Sequence, residues 1–257
     1  MVHFVGAGPG AEDLITLRGQ KLLQEADVVI YAGSLVNPAL LANCRADVQT
    51  FNSARMTLEE VIGEIRRAEE AGLTTVRLHT GDPSIYGAVR EQMDALEALG
   101  IPYDSCPGVS SFCGAAAALD LEYTLPGISQ SVILTRMAGR TPVPEKEGIE
   151  ALAAHGATMV IFLSAGRLGE LAERLMAGGM TAETPAALVS CATWPQEQKV
   201  ICTVGTLAQA AAERGIDRTA LVIAGRAVSQ SGYERSKLYE PSFATGWREA
   251  SGEEEPV

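Results

Sequence analysis

The sequence predicts an α/β protein with an N-terminal, mainly parallel sheet and a C-terminal mixed sheet. In the first half, apolar segments of strand length alternate with amphipathic segments of helix length, which is typical of parallel sheets covered by helices on both faces. In the second half, apolar runs rich in β-branched residues outnumber the helix candidates. The periodicity is interrupted around DLEYTLPG at 120–127, so we predict domains covering 1–120 and 121–240 and a polar tail at 241–257.

The N-terminal elements follow from hydrophobic patterns and end signals. Four apolar runs are predicted to be strands: 2–7, 27–33, 74–79 and 102–106. Asn37-Pro38 offers a helix start, and Thr57 with Glu60 forms a capping box that opens a helix ending at Gly72. Further helices are predicted at 17–25 and 84–99.

The C-terminal half is predicted to contain more strand than helix. The strand candidates are SVILTRM, ATMVIFLSA, AALVSCA, KVICTVG and ALVIAG. Helices are predicted at 168–177 and 207–214. The two runs within 186–204 lie too close for a helical crossover, so we expect an antiparallel pair there and a mixed sheet.

The composition is that of an ordinary globular chain with an acidic balance. Of the 257 residues, 47% are apolar and 20% charged, and the formal net charge is −12. This charge argues against a nucleic-acid or anionic-membrane partner, and an anionic small molecule would need a local basic patch. The odd set of five scattered cysteines indicates a reducing cytoplasm. Neither the cysteines nor the three histidines show metal-ligand spacing, so no metal site is expected.

The segment VGAGPGAEDLIT at 5–16 matches the G-x-G-x-x-G/A spacing of dinucleotide-binding loops through Gly6, Gly8 and Ala11. Such a site also needs an acidic residue at the end of the second strand, where this sequence reads AGS. Pro9 removes one backbone donor that a phosphate would use. We therefore interpret the loop as a glycine-rich turn and not as an NAD site, with a dinucleotide-dependent oxidoreductase as an alternative enzyme class.

Two further glycine-bearing turns follow strands of the same predicted sheet. GDPSIYG begins at Gly81 after one strand, and PGVSS begins at Pro107 after another. The carboxyl ends of parallel strands meet at one edge, where α/β proteins bind ligands. Asp82 is equally well explained as a helix cap. Because the turns offer almost no titratable chemistry, we predict a backbone-lined pocket for a cofactor that carries its own reactivity.

The motifs VGAGPGAEDLIT, DVVIYAGSLV, TGDPSIYG and PGVSS occur in the same order as in the tetrapyrrole (corrin and porphyrin) methylases, and the resemblance covers about residues 2–245. TRMAGRTPVPE and RSKLYEPSF resemble more specifically the members that methylate precorrin-4 or cobalt-precorrin-4 at C11 in cobalamin biosynthesis. Members acting on uroporphyrinogen III usually carry Asp-Arg after the second strand, where this chain has Ala32 and Gly33. That difference counts against uroporphyrinogen III as the substrate.

The resemblance implies a homodimeric methyltransferase that binds S-adenosylmethionine in a cleft between its two domains. The sulfonium methyl is already activated, so no protein nucleophile is needed and no catalytic residue is assigned. The implied first-domain cofactor contacts are Pro9, Gly81, Asp82, Ile85, Tyr86, Ser110 and Ser111. The implied second-domain contacts, mostly through backbone, are Leu163, Ala192 and Ala220.

A tetrapyrrole substrate carries acetates and propionates, which arginines bind well. Arg136 and Arg140 flank MAG after a strand, and Arg55 follows the strand in VQTFNSA; each is either a carboxylate ligand or a solvated surface residue. His79 ends a strand and either faces the pocket or is a hydrogen-bonded histidine near the core. Another tetrapyrrole methylase and a non-catalytic cofactor-binding module stay open as alternatives.

Overall fold

The computed structural model describes residues 1–251, and the chain forms two compact units. The first contains 1–119 and 189–198, and the second contains 120–188 and the chain from Lys199 onward. The predicted domain limits after 120 and 240 stay predictions, and the grouping of 189–198 with the first unit has no counterpart in them. Residues 252–257 of the predicted polar tail lie outside the described residues.

The first unit is built on a five-stranded sheet whose neighbouring strands are all parallel, as predicted. Its order is β3-β2-β4-β1-β5, which differs from the 3-2-1-4-5-6 order of dinucleotide-binding folds. The carboxyl ends of β4, β1 and β5 therefore lie side by side. The strands are β1 (Val2–Gly6), β2 (Val28–Tyr31), β3 (Gln49–Asn52), β4 (Thr75–His79) and β5 (Tyr103–Cys106).

The helices of this unit are α1 (Leu17–Glu25), α2 (Leu58–Glu70), α3 (Arg90–Ala98) and α4 (Ser111–Leu119). Two of them, α1 and α2, begin at side-chain caps. Thr16 accepts a hydrogen bond from the Gly19 amide, and Thr57 with Glu60 forms the predicted capping box. Buried side chains of α1 pack in a cluster with Val5 of β1, and those of α2 and α3 pack in a cluster with Phe4. Val5 and Phe4 point to opposite sheet faces.

The predicted helix at 84–99 was wrong in its first part, because α3 begins only at Arg90. Tyr86 and Ala88 have left-handed backbone, with φ of 54° and 48°, which a continuous α-helix does not allow. A Cβ on Gly87 would lie 2.2 Å from the Pro83 carbonyl oxygen, so the turn closes tightly on itself. The segment after Asn37 is likewise a short 3₁₀ helix, Pro38–Asn43.

The second unit contains a five-stranded sheet of order β6-β7-β10-β8-β9. The β6 and β7 strands are parallel and β7 and β10 antiparallel, which confirms the predicted mixed sheet. The two runs within 186–204 are neighbouring strands. The strands are β6 (Val132–Arg136), β7 (Thr158–Phe162), β8 (Pro185–Ser190), β9 (Gln198–Thr203) and β10 (Ala220–Ala224).

The helices of the second unit are α5 (Ile149–Ala153), α6 (Leu168–Ala177) and α7 (Leu207–Arg214). The last two have the predicted limits, since apolar residues recur at helical spacing in both. The α5 helix was not predicted, because its five residues are too few to show a helical period. Within residues 1–251, no helix has the length and apolarity that crossing a bilayer requires.

Candidate functional site

Three glycines meet backbone to backbone at the carboxyl edge of the first sheet. A Cβ on Gly6 would lie 2.5 Å from the Gly108 Cα and 2.6 Å from the Gly81 carbonyl oxygen. A Cβ on Gly108 would lie 2.2 Å from the same oxygen. These distances exclude a side chain, so the edge is lined by main chain, as the three turns predicted.

Three amides of the first glycine loop, those of Ala7, Gly8 and Ala11, donate to protein acceptors. The Ala7 amide donates to the His79 carbonyl over 2.7 Å, and Gly8 and Gly81 exchange bonds of 3.2 and 2.8 Å. Pro9 has no amide hydrogen, and the Ala11 amide donates to Thr193 Oγ1 over 2.9 Å. A pyrophosphate would have to displace these bonds, which supports the interpretation of the loop as structural.

Asp82 joins the turn after β4 to the turn after β5. Its Oδ2 accepts from the Gly108 amide over 2.9 Å, and its Oδ1 accepts from the Ser84 amide over 2.9 Å and from the Ser84 hydroxyl. Partial burial raises the pKa of this carboxyl, but the Ser84 hydroxyl and the Gly108 and Ser84 amides outweigh it, so the pKa lies below its usual value. The predicted helix cap is thus an anionic cap of a turn that also fixes the neighbouring loop.

Pro9 is held between α4 and the segment 189–198, all within the first unit. Trp194 Nε1 donates to the Pro9 carbonyl over 3.2 Å, and a Cβ on Gly114 would lie 2.6 Å from the Pro9 Cβ. Gly10 is required as well, because its Cβ would lie 1.9 Å from Trp194 Cδ1. Sequence reasoning missed this contact, since Trp194 carries no local signal that points to a loop 185 residues away.

Within the second unit, Leu163 and Ala220 lie at one edge of the mixed sheet. The antiparallel register pairs Val222 with Ile161, and its continuation places Ala220 opposite Leu163. Leu163 has a left-handed backbone with φ of 53° and is 68% exposed, which is unusual for a leucine directly after a strand. The two residues therefore stand at corresponding ends of neighbouring strands, which the sequence alone did not indicate.

Left-handed backbone at non-glycine residues is concentrated in the segments that carry proposed cofactor contacts. Among residues 1–251, eight such residues occur, and five adjoin or belong to those contacts: Tyr86, Leu163, Cys191, Thr193 and Thr219. Cys191 and Thr193 flank Ala192, and Thr219 precedes Ala220. Strained backbone of this kind is retained mainly where it serves binding or catalysis.

The three candidate arginines differ in how their side chains are held. The Arg136 guanidinium donates to the Met137, Thr141 and Pro142 carbonyl oxygens over 2.9 to 3.1 Å, so it organises the loop that follows β6. Arg140, within that loop, is exposed. Arg55 is also exposed, at the end of a short 3₁₀ helix after β3.

A cavity of about 260 Å³ lies in the first unit beside the turn at 85–88. Its walls include Ile85 and Tyr86, and its polar lining includes Arg77 and His79, both buried. The His79 Nε2 atom is buried without a hydrogen-bond partner in the described part of the chain. Of the two expectations for His79, the structure supports the first, because the residue lines the cavity and its buried Nε2 lacks a hydrogen-bond partner.

No group of three or more metal-ligating side chains occurs within residues 1–251.

A family model described as tetrapyrrole (corrin/porphyrin) methylases matches residues 1–208. The cobalt-precorrin-4 C(11)-methyltransferase of Methanocaldococcus jannaschii is 47% identical over 249 residues, covering 97% of this chain and 96% of that protein. Further relatives at 43% to 44% identity are named for precorrin-4 with and without cobalt.

Solved structures show the same fold. A cobalt precorrin-4 methyltransferase described as a cobalamin biosynthetic enzyme is 44% identical with a TM-score of 0.86, over 88% of this chain and 95% of that one. The uroporphyrin-III C-methyl transferase from Thermus thermophilus, solved with S-adenosylhomocysteine, is 28% identical with a TM-score of 0.74. That match covers 90% of this chain and 99% of the other.

Proposed function

Because the chain belongs to the tetrapyrrole (corrin/porphyrin) methylase family, we propose that it transfers a methyl group from S-adenosylmethionine to C11 of precorrin-4 or cobalt-precorrin-4 in cobalamin biosynthesis. The observation that carries this proposal is the 47% identity to a cobalt-precorrin-4 C(11)-methyltransferase over nearly the full length of both chains. Ala32 and Gly33 after β2 favour this substrate over uroporphyrinogen III, as argued from the sequence.

The carboxyl edge of the first sheet at Gly6, Gly81 and Gly108, here called the glycine edge, suits S-adenosylmethionine chemically. A main-chain surface beside an anionic Asp82 suits adenine and a sulfonium cation, and Gly81, with φ of 59°, adds no side chain of its own there. Ser110 and Ser111 open α4, whose positive N-terminal end suits the carboxylate of the cofactor's amino-acid part. We assign Pro9, Gly81, Asp82, Ile85, Tyr86, Ser110 and Ser111 to this role, with Leu163, Ala192 and Ala220 as the further contacts.

The chain's own contribution to the reaction is positional. S-adenosylmethionine supplies an activated methyl group when bound, so the protein residues need only hold the cofactor and the ring carbon in line and exclude water. The rigid glycine edge, fixed by Asp82, is suited to hold the cofactor. Arg55, Arg136 and Arg140 are proposed to hold substrate carboxylates, Arg140 directly from a loop that Arg136 supports.

The test is product analysis with purified precorrin-4 and cobalt-precorrin-4 in separate reactions with methyl-labelled S-adenosylmethionine. A labelled methyl on C11, located by carbon NMR, is expected. Methylation of uroporphyrinogen III instead would indicate another member function, and cofactor binding without product would indicate a binding module. Calorimetric binding of NADH but not S-adenosylhomocysteine would favour the oxidoreductase alternative.

We further propose a homodimer in the cytoplasm. The dimer rests on the family resemblance, and sedimentation velocity tests it. The cytoplasm rests on five cysteines, all of them free thiols in the structure, which suit a reducing compartment.

A further inference from the structure

The lining of the cavity beside the turn at 85–88 contains a buried arginine, Arg77, and a buried histidine, His79. Arg77 and His79 are two residues apart on β4, so their side chains leave the same face of the sheet. That face is the one covered by α2 and α3, and Gln92 of α3 lines the same cavity. Arg77 is 6% exposed and His79 4% exposed, so both are withdrawn from bulk water.

The buried Arg77 guanidinium is held by neutral groups alone. Its Nε donates to Gln92 Oε1 over 2.8 Å and its Nη1 to the Ile30 carbonyl over 3.1 Å. Across residues 1–251 no carboxylate forms an ion pair with it. Burial lowers the pKa of Arg77 to about 10, so the group still carries its charge at neutral pH. A buried charge without a counter-charge is costly, which indicates that an anion completes this site.

His79 supplies a second unsatisfied group in the same cavity. Its ring stacks on Phe4 with centroids 6.2 Å apart, which fixes the ring plane. Burial, assisted by the Arg77 charge, lowers the pKa of His79 to about 3, so the imidazole is neutral at neutral pH. A neutral imidazole offers one N–H donor, and the buried Nε2 has no acceptor within the described chain.

We propose that this cavity binds one carboxylate of the tetrapyrrole substrate, with the Arg77 guanidinium and the His79 Nε2–H as its ligands. This rests on the proposed function, since the tetrapyrrole is what carries the carboxylate. Ser53 and Thr57 add hydroxyls to the lining, and Glu91, the one carboxylate of the lining, is exposed. Arg55 is exposed and lies in sequence between the lining residues Ser53 and Met56.

The first experiment uses acetate as the probe and thermal unfolding of the free protein as the readout. Acetate replaces chloride at constant ionic strength, in wild type and in Arg77→Met, His79→Phe, His79→Gln and His155→Phe. His155 is exposed on a loop and serves as the matched histidine control. Acetate is expected to raise Tm saturably in wild type, His79→Gln and His155→Phe, and to have no effect in the other two. Without acetate, Arg77→Met should melt no lower than wild type, because it removes an unpaired buried charge.

The second experiment asks whether the carboxylate belongs to the substrate. KM for precorrin-4 is expected to rise at least tenfold in Arg77→Met and His79→Phe, with kcat and the Kd of S-adenosylhomocysteine near wild type. An equal Tm response to acetate in all variants, or none in wild type, would overturn the site. An acetate response with unchanged KM would assign the site to a free anion and overturn the tetrapyrrole assignment. If wild type does not methylate precorrin-4, the proposed function and this assignment fail together, while the acetate response still decides whether the anion site exists.

Discussion

Replacing Asp82 by alanine is expected to release the turn after β5 from the turn after β4. The substitution removes the acceptor of the Gly108 amide, at 2.9 Å, and both bonds from Ser84. A buried donor left unsatisfied costs about 1 to 3 kcal/mol, and the Gly108 bond is only partly buried, so we expect the lower half of that range. A loss of about 1 to 2 kcal/mol is roughly 5- to 30-fold in an equilibrium constant. The affinity for S-adenosylhomocysteine should fall by this factor, because part of the binding free energy is then used to order the two turns.

The assay is calorimetric titration of S-adenosylhomocysteine, with urea unfolding in parallel. Ser84→Ala, which keeps the Gly108 bond, should lose less affinity, and Asp94→Ala, at an exposed ion pair on α3, should lose none. The folded pKa of Asp82 lies below the unfolded value of about 3.9. Its contribution is therefore present above that value and disappears as pH falls through the folded pKa, where wild type and Asp82→Ala should converge. Equal affinity and stability of both proteins at neutral pH would refute the reasoning.

Three further results are expected. Gly108→Ala should lose about 1 to 3 kcal/mol in urea unfolding, because its Cβ would lie 2.2 Å from the Gly81 oxygen. Gly63→Ala, whose Cβ meets nothing within 4 Å, is the control, and an equal loss in both would contradict the steric argument. Arg140→Ala should cut kcat/KM for precorrin-4 by about 1.5 to 3 kcal/mol at unchanged Tm. Arg136→Ala should also lower Tm, because it removes the donor to three loop carbonyl oxygens. Identical Tm values in the two variants would contradict the supporting role of Arg136. NAD and ATP should give no binding heat, since the Ala7, Gly8 and Ala11 amides already donate to protein acceptors and Pro9 has no amide hydrogen.

The parts of this fold that the sequence could predict are those whose cause is local. In a helix of 9 to 13 residues the spacing of apolar residues repeats several times. The α1 and α2 helices could therefore be predicted from their caps and apolar faces. The meeting of Gly6, Gly81 and Gly108 was also predictable, because parallel strands direct their carboxyl ends to one edge. In each case the residues that decide the structure stand within one element or its ends.

The parts that could not be predicted depend on contacts distant in sequence or on strain. The late start of α3 follows from left-handed Tyr86 and Ala88, and neither residue type favours that conformation by itself. Trp194 reaches Pro9 only because the chain returns from the second sheet to the first unit. The unpartnered His79 Nε2 was hidden as well, since nothing in the sequence states which acceptors a buried imidazole lacks.

The end of β4 links two kinds of binding surface in one short stretch. Arg77 and His79 face the cavity, and shortly after the strand Gly81 and the anionic Asp82 belong to the glycine edge. The turn at 85–88 then returns to line the cavity, so one continuous segment contacts both surfaces. An edge with an anionic Asp82 suits a sulfonium cation, which a nearby buried guanidinium would otherwise repel, and the guanidinium lies on the sheet face under α2 and α3. On the assignments proposed above, the cofactor contacts of the first unit and the carboxylate site therefore use different surfaces of that unit. Substitutions at Arg77 should therefore act on KM, and substitutions at Asp82 on cofactor affinity.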